Sequence, residues 1–303
     1  MRVLVTGAAG FVGSHLVSSL STRHDVLALD KQAGNSAAAR VLEGDLGDPK
    51  LLDVALAGGC DAVVHLATIP GGAAEQDPAL GWRVNVDGTG ALVEALIRIG
   101  RGKRLVFASS IAVLGDVLPS VITDDMLPRP VLLYGAHKLM AEQWLAARSR
   151  RGDVDAISLR LPGIVARPRA SAGMKSAFMS NVFHAAITGE SFTAPVSKGA
   201  AMWLMSRDKV CWNFTHALEL AGPVGEPSAL TLPAVRATME ELVAEIARQT
   251  DRNPDFVDYD PDEGLEAGFG RFPQLEPSRA LDLGFEADSS LAALVAAALL
   301  SIS

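Results

Sequence analysis

The sequence of 303 residues predicts an α/β fold: a doubly wound parallel sheet followed by a smaller C-terminal lobe. In the first 165 residues, short and nearly continuous apolar runs alternate with longer helical patterns, which is typical of strands covered by helices on both faces. Beyond residue 166, mostly helical and irregular segments follow. We therefore expect two domains, residues 1–165 and residues 166–303, with the part from about 207 to 233 returning to the first domain.

Each predicted element rests on a local pattern. The predicted strands are Arg2–Thr6, Val26–Asp30, Arg40–Glu43, Ala62–Ala67, Arg104–Ser109, Ala156–Leu161 and Ala229–Pro233. The predicted helices are Phe11–Ser21, Pro49–Ala57, Asp77–Ile99, Tyr134–Ser149, Lys175–Thr188, Asp208–Ala221, a helix capped by Thr238 that reaches about Thr250, and Leu291–Leu300. Arg167–Ala172 is expected to be an irregular crossing, and Asp251–Gly270 to be rich in loops.

The composition disfavours several classes of protein. Lys and Arg total 27 while Asp and Glu total 35, so the net charge of −8 argues against a nucleic-acid-binding protein. The longest apolar stretch, Leu291–Leu300, is about half the length of a membrane span, so we expect no membrane association. The first residues form a strand-like run and not a signal peptide. Cys60 and Cys211 suit reduced, buried thiols and lack metal-ligand spacing, so we expect a cytoplasmic protein without a metal site.

A glycine-rich turn links the first predicted strand to the first predicted helix. The run Gly7-Ala8-Ala9-Gly10-Phe11-Val12-Gly13 permits a tight turn and a close approach of the backbone to a pyrophosphate. The helix that follows presents free N–H groups and the positive end of its dipole to phosphates. This context predicts a dinucleotide site in residues 1–165.

Two acidic residues follow strands close to this turn. Asp30 ends the second predicted strand, 23 residues after Gly7, where its carboxylate can accept hydrogen bonds from the adenosine ribose. A negative charge there would repel a 2′-phosphate, which favours NAD over NADP, although the adjacent Lys31 leaves NADP open. Asp45 and Leu46 follow the third predicted strand and are candidates for contact with the adenine edge.

Three side chains suggest hydride-transfer chemistry. Tyr134 and Lys138 are spaced i and i+4 at the start of a predicted helix, so both lie on one face. A phenol has an ordinary pKa of about 10, and a neighbouring ammonium favours the phenolate, which could then act as a base. Ser110 lies at the end of a predicted strand, the edge at which open α/β sheets bind ligands. Its hydroxyl could hold a substrate oxygen.

These motifs, together with His65-Leu66-Ala67 and Asn85, resemble the extended short-chain dehydrogenases/reductases, the superfamily of NAD-dependent epimerases and dehydratases. The resemblance implies a Rossmann-type domain that binds NAD, a substrate-binding lobe, and a homodimer formed through two long helices. It also implies that Tyr134 is the general acid/base, that Lys138 assists it and that Ser110 orients the substrate. Asn85 would be a structural polar residue of its helix. Residues lining the nicotinamide side would be Leu66, Ala67, Pro162 and Ile164.

Departures from the family pattern narrow the reaction. Ile111 and Ala112 follow Ser110, where dehydratases carry acidic residues, so dehydration is disfavoured. Gly163 and Met202 replace the asparagine and, approximately, the arginine with which epimerases hold a nucleotide diphosphate. This loss weakens diphosphate binding unless Arg207 or Lys198 substitutes for the arginine. The segments Leu159–Pro168, Ser176–Ser180 and Leu230–Ala234 resemble sugar-acid dehydrogenases of the D-erythronate dehydrogenase type.

The predicted function is therefore NAD-dependent oxidation of a secondary hydroxyl in a small polyol or sugar acid. The alternatives are a nucleotide-sugar 4-epimerase and a non-catalytic dinucleotide-binding protein. Candidate substrate contacts are Thr68, Ser110, Ser176, Ser180 and Trp203. Each of them except Ser110 has a plainer explanation: Thr68 as a cap at a strand end, the serine pair as a solvated helical face, and Trp203 as part of the core.

Overall fold

The computed structural model describes residues 1–32, 34, 36–38, 40–169 and 175–302. The chain divides into two compact units. The first comprises residues 1–115, 128–160 and 211–231, and the second comprises residues 116–127, 161–210 and 232–303. Predicted segment Arg167–Ala172 lies partly outside the described residues.

Strands and helices alternate along most of the chain. The strands are β1 (Arg2–Thr6), β2 (Asp25–Asp30), β3 (Arg40–Glu43), β4 (Ala62–His65), β5 (Lys103–Ser110), β6 (Val121–Thr123), β7 (Val154–Leu161), β8 (Gly163–Val165), β9 (Phe192–Ala194), β10 (Ala201–Ser206), β11 (Ala229–Thr231), β12 (Val235–Thr238), β13 (Val257–Tyr259) and β14 (Gln274–Glu276). The α-helices are α1 (Phe11–Leu20), α2 (Pro49–Leu56), α3 (Gly71–Gln76), α4 (Pro78–Trp82), α5 (Thr89–Ile99), α6 (Leu133–Arg150), α7 (Phe178–Thr188), α8 (Arg207–Glu219), α9 (Met239–Gln249), α10 (Glu263–Phe269), α11 (Ser278–Asp282) and α12 (Leu291–Leu300).

The first unit is built on a seven-stranded parallel sheet in the order β3-β2-β1-β4-β5-β7-β11. The order reverses between β1 and β4, which are hydrogen-bonded neighbours. This reversal makes a switch point, and ligands of open α/β sheets bind beyond the carboxyl ends of the strands there. The predicted doubly wound parallel sheet is thus confirmed.

The predicted long helix Asp77–Ile99 is wrong in detail. The chain instead forms α4, then a π-helix over Arg83–Gly88, then α5. The short helix α3 precedes α4 and was not predicted. Asp77 separates the two short helices, and its carboxylate accepts a hydrogen bond from the Leu80 N–H (2.9 Å). The spacing of apolar residues does not predict the wide π-turn, because over six residues it does not distinguish i+5 from i+4 hydrogen bonding.

The second unit holds a three-stranded sheet in the order β12-β10-β8, packed against helices. Its core is apolar and includes Val182, Phe183, Met202, Leu204 and Leu242. The predicted cap of α9 is confirmed, since Thr238 and Glu241 form a reciprocal capping box. The predicted C-terminal helix is buried on one face, where Leu294, Val295 and Ala298 lie, whereas Leu300 is exposed.

The expectation of a loop-rich segment at Asp251–Gly270 is wrong. Strand β13 pairs in parallel with β9, more than 60 residues away in the chain, so its signal is not local. Helix α10 begins after Asp262, whose carboxylate accepts from the Leu265 N–H (2.8 Å). Cys60 and Cys211 are both buried and form no disulfide. In the described part of the chain, no helix is both long and apolar enough to cross a membrane.

Candidate active site

The glycine-rich turn lies at the switch point of the sheet. Gly7 follows β1 with φ at +71°, a conformation that favours glycine. A Cβ on Gly7 would lie 2.6 Å from the Ala67 backbone nitrogen, beyond the end of β4. A Cβ on Gly13 would overlap the Gly7 carbonyl oxygen, and Gly10 is the residue before α1. The turn is therefore a bare-backbone cradle at the N-terminus of α1, which suits a pyrophosphate.

Asp30 ends β2 beside this cradle. Its Oδ2 accepts a hydrogen bond from the Ala9 backbone N–H (2.9 Å), which brings the carboxylate to the edge of the glycine-rich turn. Asp45 is exposed, and its Oδ1 accepts from the Gly47 N–H (2.9 Å). The Leu46 side chain packs in the core of the first unit, so only its backbone remains for a ligand.

Tyr134 and Lys138 lie on the first turns of α6. Lys138 is 2% exposed, and its Nζ lies 4.6 Å from the centroid of the Phe107 ring on β5 and 5.5 Å from that of Tyr134. Burial lowers the pKa of Lys138 to about 7, while the Glu142 carboxylate opposes that shift. The two side chains thus lie close together, and an ammonium in this position would favour the Tyr134 phenolate; the catalytic role of the pair stays a prediction.

Ser110 ends β5 and caps a short 3₁₀ turn over Ile111–Val113. Its Oγ accepts a hydrogen bond from the Ala112 N–H (3.1 Å), so its own O–H remains to donate to a substrate oxygen. A Cβ on Gly135 would overlap the Ala112 carbonyl oxygen and lie 3.0 Å from the Pro130 Cβ. The start of α6 therefore packs backbone to backbone on the turn after Ser110, which brings the Tyr134 and Ser110 segments together.

A buried relay of hydrogen bonds supports the loop after β4. The Thr89 hydroxyl donates to the Asn85 carbonyl (2.8 Å), so it accepts from His65 Nε2 (2.9 Å). His65 Nδ1 then accepts from the Thr6 hydroxyl (2.6 Å), whose oxygen accepts from the Ala67 N–H (3.4 Å). Burial lowers the pKa of His65 to about 3, which keeps the ring neutral in this tautomer.

Asn85 holds the same loop with its side chain. Its Oδ1 accepts from the Ile69 N–H (2.7 Å) and the Thr68 hydroxyl (3.0 Å), and its Nδ2 donates to the Ile69 carbonyl (3.0 Å). Asn85 lies on the π-helix between α4 and α5, which sequence patterns did not detect. The sequence predicted that Asn85 lies in a helix, but it did not predict the hydrogen bonds from Asn85 to the segment after Ala67.

The second unit contains the other predicted substrate contacts. Ser180 is 4% exposed, and its Oγ accepts from the Arg167 N–H (3.0 Å), so a solvated helical face is excluded for it. Ser176 is half-buried in a 3₁₀ turn. Trp203 is 1% exposed and packs on Phe272 with ring centroids 4.9 Å apart, which is the core placement that the sequence left open.

Pro162 and Ile164 also belong to the second unit and are buried, Ile164 on β8. Their contact with the nicotinamide side stays a prediction. In the first unit, a glycine cradle, an acid at the end of β2 and a Tyr-Lys pair beside a strand-end serine occur together. This combination defines an oxidoreductase of the Rossmann type that binds a dinucleotide.

Comparisons with known proteins identify the family. The model of the NAD dependent epimerase/dehydratase family matches residues 3–211. The chain is 34% identical to a D-erythronate dehydrogenase of Cupriavidus necator, over 96% of this chain and 95% of that protein. It is 31% identical to a D-erythronate dehydrogenase of Haemophilus influenzae, over 96% of each chain. A nucleoside-diphosphate-sugar epimerase from Agrobacterium tumefaciens is 30% identical and superposes with a TM-score of 0.88, over 97% of this chain and 92% of that one.

The chain belongs to the NAD-dependent epimerase/dehydratase family. It is an NAD-dependent dehydrogenase of the extended short-chain type, and the resemblance drawn from the sequence motifs is confirmed.

Proposed function

We propose that the protein oxidises a secondary hydroxyl of a small polyol acid, of the D-erythronate type, with NAD. The observation that carries this proposal is the Lys138 ammonium enclosed against the Tyr134 ring beside the strand-end Ser110. Similarity to two D-erythronate dehydrogenases extends over nearly the full chain, including the unit that sequence reasoning assigned to substrate binding.

Each catalytic side chain has a distinct task in this proposal. The Ser110 hydroxyl donates to the reacting oxygen of the substrate and orients it. The Tyr134 phenolate accepts the hydroxyl proton, and the Lys138 ammonium keeps that phenolate accessible near neutral pH. NAD supplies the hydride acceptor when it is bound. The same lysine is placed to hold the nicotinamide ribose.

The cofactor residues follow the geometry of the cradle. We assign the pyrophosphate to the turn and the first helical residues, Gly7, Gly10, Phe11, Val12 and Gly13. The ribose of the adenosine would bind Asp30, and the adenine edge would meet Asp45 and the Leu46 backbone. The nicotinamide side would be lined by Leu66, Ala67, Pro162 and Ile164. A Cβ at Gly7 or Gly13 would overlap backbone atoms of the turn or of the segment after β4, so this tight turn requires glycine, as a turn that holds a pyrophosphate does.

We assign substrate contact to Thr68, Ser110 and Ser176. Thr68 donates its hydroxyl proton to Asn85, so its oxygen lone pairs would accept from a substrate hydroxyl. Ser180 and Trp203 would instead shape the second unit from within, since both side chains are buried.

The test is a screen for NADH formation, followed by absorbance at 340 nm. The panel contains four-carbon sugar acids of all configurations, the corresponding neutral polyols and nucleotide diphosphate sugars. We expect a four-carbon sugar acid to give a kcat/KM at least about 100-fold above any nucleotide sugar. Oxidation of neutral polyols alone, or of none of the panel, would contradict the substrate assignment.

A second candidate is a nucleotide-sugar 4-epimerase. The structural similarity to a nucleoside-diphosphate-sugar epimerase favours it. Against it, Gly163 stands where an epimerase asparagine is expected, and a Cβ there would lie 3.0 Å from Met179 Sδ and 3.1 Å from the Trp203 carbonyl oxygen. Interconversion of a UDP-sugar pair without net NADH, read by chromatography, would support the epimerase.

We further propose a cytoplasmic homodimer formed through α4, α5 and α6. Trp82, Leu133 and Met140 are each 40 to 45% exposed, and the Trp82 ring packs edge-on to His137 of α6 (5.8 Å between centroids). Light scattering should give twice the chain mass, and Met140→Glu should give a monomer. Val54→Glu, at an exposed position on α2, is the control that should stay dimeric. Two cysteines that form no disulfide support the cytoplasmic compartment.

A further inference from the structure

Helix α6 carries a buried carboxylate one turn beyond the Tyr-Lys pair. Tyr134, Lys138 and Glu142 are spaced four residues apart and share one face of the helix. Glu142 is 1% exposed, although an isolated carboxylate is rarely buried. A charge buried next to a buried lysine calls for a compensating group and affects the lysine strongly.

Glu142 is compensated by residues of the sheet under α6. The guanidinium of Arg160 on β7 forms a bidentate ion pair with the Glu142 carboxylate: Nε donates to Oε1 (3.0 Å) and Nη2 donates to Oε2 (2.8 Å). The Ser109 hydroxyl on β5 donates to Oε1. Arg160 is itself 8% exposed, so both charges are shielded from water and salt.

We propose that the Glu142–Arg160 pair, anchored on Ser109, is a positioning device that sets the charge of Lys138 and thereby of Tyr134. The proposal rests on the proposed roles of Tyr134 and Lys138, and it adds residues that no motif in the chain marks as functional. Glu142 favours the ammonium, and Arg160 limits how strongly it does so. Ser109 precedes Ser110 directly, so the anchor and the substrate-orienting serine share one strand end.

The other groups around Lys138 leave this pair as its main source of charge. His65 of β4 is neutral because burial lowers its pKa to about 3. His137 is the next residue on α6, and its pKa is also lowered, chiefly by burial. Glu75 of α3 acts on His137, and its Oε1 lies 3.3 Å from the Tyr134 backbone nitrogen. Phe107 offers a ring face, which stabilises the ammonium without titrating.

Substitutions of Glu142 and of Arg160 should shift the Lys138 titration in opposite directions, which a purely structural role of the pair would not do. Glu142→Gln removes the anion and leaves Arg160 uncompensated, so Lys138 should lose its proton at a pH lower by about one unit or more. Arg160→Met leaves the anion unopposed, so the same titration should move to higher pH by a similar amount. The double variant E142Q/R160M should fall between Glu142→Gln and the unmodified protein, because the carboxylate acts on Lys138 more strongly than the guanidinium does.

The experiment follows the side-chain carbon resonances of ¹³C-lysine by NMR between pH 5 and pH 10 in the full-length protein. The signal of Lys138 is assigned by its absence in Lys138→Met. The pH profile of kcat/KM for NAD-dependent oxidation is recorded on the same variants. Its rising limb should move in the opposite order, because a Lys138 that loses its proton at lower pH stabilises the Tyr134 phenolate less. Asp155→Asn is the matched control, because it breaks the Arg104–Asp155 pair (2.8 Å) on the same two strands and should leave both readouts in place.

Shifts of both single variants in the same direction, or no shift in either, would overturn the proposal. Should a single variant not fold, the double variant decides, since replacing a buried ion pair by neutral side chains is often tolerated. Its Lys138 titration must lie below that of the unmodified protein, and a titration at the same pH would overturn the proposal. The NMR readout needs no substrate, so an error in the proposed substrate or in the role of Tyr134 leaves it intact and appears only in the kinetics.

Discussion

The two units bury different kinds of side chain. Among the described residues, every buried polar or charged side chain except Ser180 and Ser206 belongs to the first unit. There they form connected sets, such as His65 with Thr6 and Thr89, and Glu142 with Arg160. In the second unit, the buried core consists of aliphatic, aromatic and methionine side chains. The polar groups of this unit mostly cap the ends of helices and strands.

Burying a polar group costs free energy unless its hydrogen bonds are satisfied, so such groups persist where they serve a purpose. In the first unit, the His65 set connects to the loop after Ala67, and the Glu142 set connects to the face of α6 that carries Tyr134. The Ser206–Asp288 contacts of the second unit (2.6 and 2.8 Å) close the end of β10, where the Ser206 hydroxyl also accepts from the Lys209 N–H (3.1 Å). Buried polarity around the Tyr-Lys pair therefore accompanies the proposed chemistry, whereas apolar packing holds the core of the second unit together.

The two tyrosines of the chain, one in each unit, provide the largest expected contrast. Tyr134→Phe should lower kcat by about 10³-fold or more, because the base is lost, while the affinity for NADH changes less than about threefold. Steady-state kinetics and NADH fluorescence measure the two effects. Tyr259→Phe, in the second unit, should keep kcat within about twofold. Comparable losses in both variants would break the comparison.

One asparagine in each unit, Asn85 and Asn253, provides the next comparison. Asn85→Ala removes three hydrogen bonds to Thr68 and Ile69 and leaves half-buried backbone groups of Ile69 without this partner. We expect kcat/KM for NAD to fall about 10- to 100-fold, since each such group costs about 1–3 kcal/mol. Asn253→Ala removes an exposed cap in the second unit and should change it less than about twofold. Unaltered kinetics in Asn85→Ala would show that the loop holds its position without this side chain.

A buried histidine of the first unit, His65, makes the stability of the protein depend on pH. The folded pKa of His65 is about 3 against about 6.5 when unfolded, so the unfolded chain binds a proton that the folded chain refuses between these values. Stability from His65 is therefore complete above about pH 6.5 and is lost as the pH falls towards 3. From pH 7 to pH 5 this loss is about 2 kcal/mol.

Urea unfolding at the two pH values measures it. His65→Gln should show a smaller pH dependence of the unfolding free energy. His184→Gln, in the second unit, should retain the dependence of the unmodified protein. An equal dependence in all three proteins would assign the acid lability to other groups.

The smallest expected effect concerns cofactor choice. Asp30→Ala should reduce the preference for NAD over NADP by about tenfold, because it removes both the ribose acceptor and the repulsion of a 2′-phosphate. Ratios of kcat/KM for the two cofactors give the result. Asp258→Ala, at an exposed position on β13, should leave the ratio unchanged. A preserved ratio in Asp30→Ala would remove this carboxylate from the adenosine site.

Features written in contiguous residues were predictable from the sequence. The alternation of apolar strands with helices, the glycine-rich turn and the spacing of Tyr134 and Lys138 can each be recognised from neighbours within a few positions. Glu142 was not recognised, because its partners Ser109 and Arg160 lie 33 and 18 residues away and an acid on a helix is ordinarily solvated. The hydrogen bonds between Asn85 and Ile69 were not predicted either, because the two residues lie 16 positions apart in the sequence.

The π-helix at Arg83–Gly88 has a consequence for how this region tolerates length changes. A π-turn contains one residue more than an α-turn at nearly the same rise, so deleting one residue there would restore an ordinary helix. The flanking helices would stay in phase, because a π-turn and an α-turn each complete about one rotation. Trp82, before the π-helix, would keep its place at the edge of His137, whereas Asn85, within the shortened turn, would lose its place against Ile69. The cost of a deletion there would therefore fall on the loop that Asn85 holds.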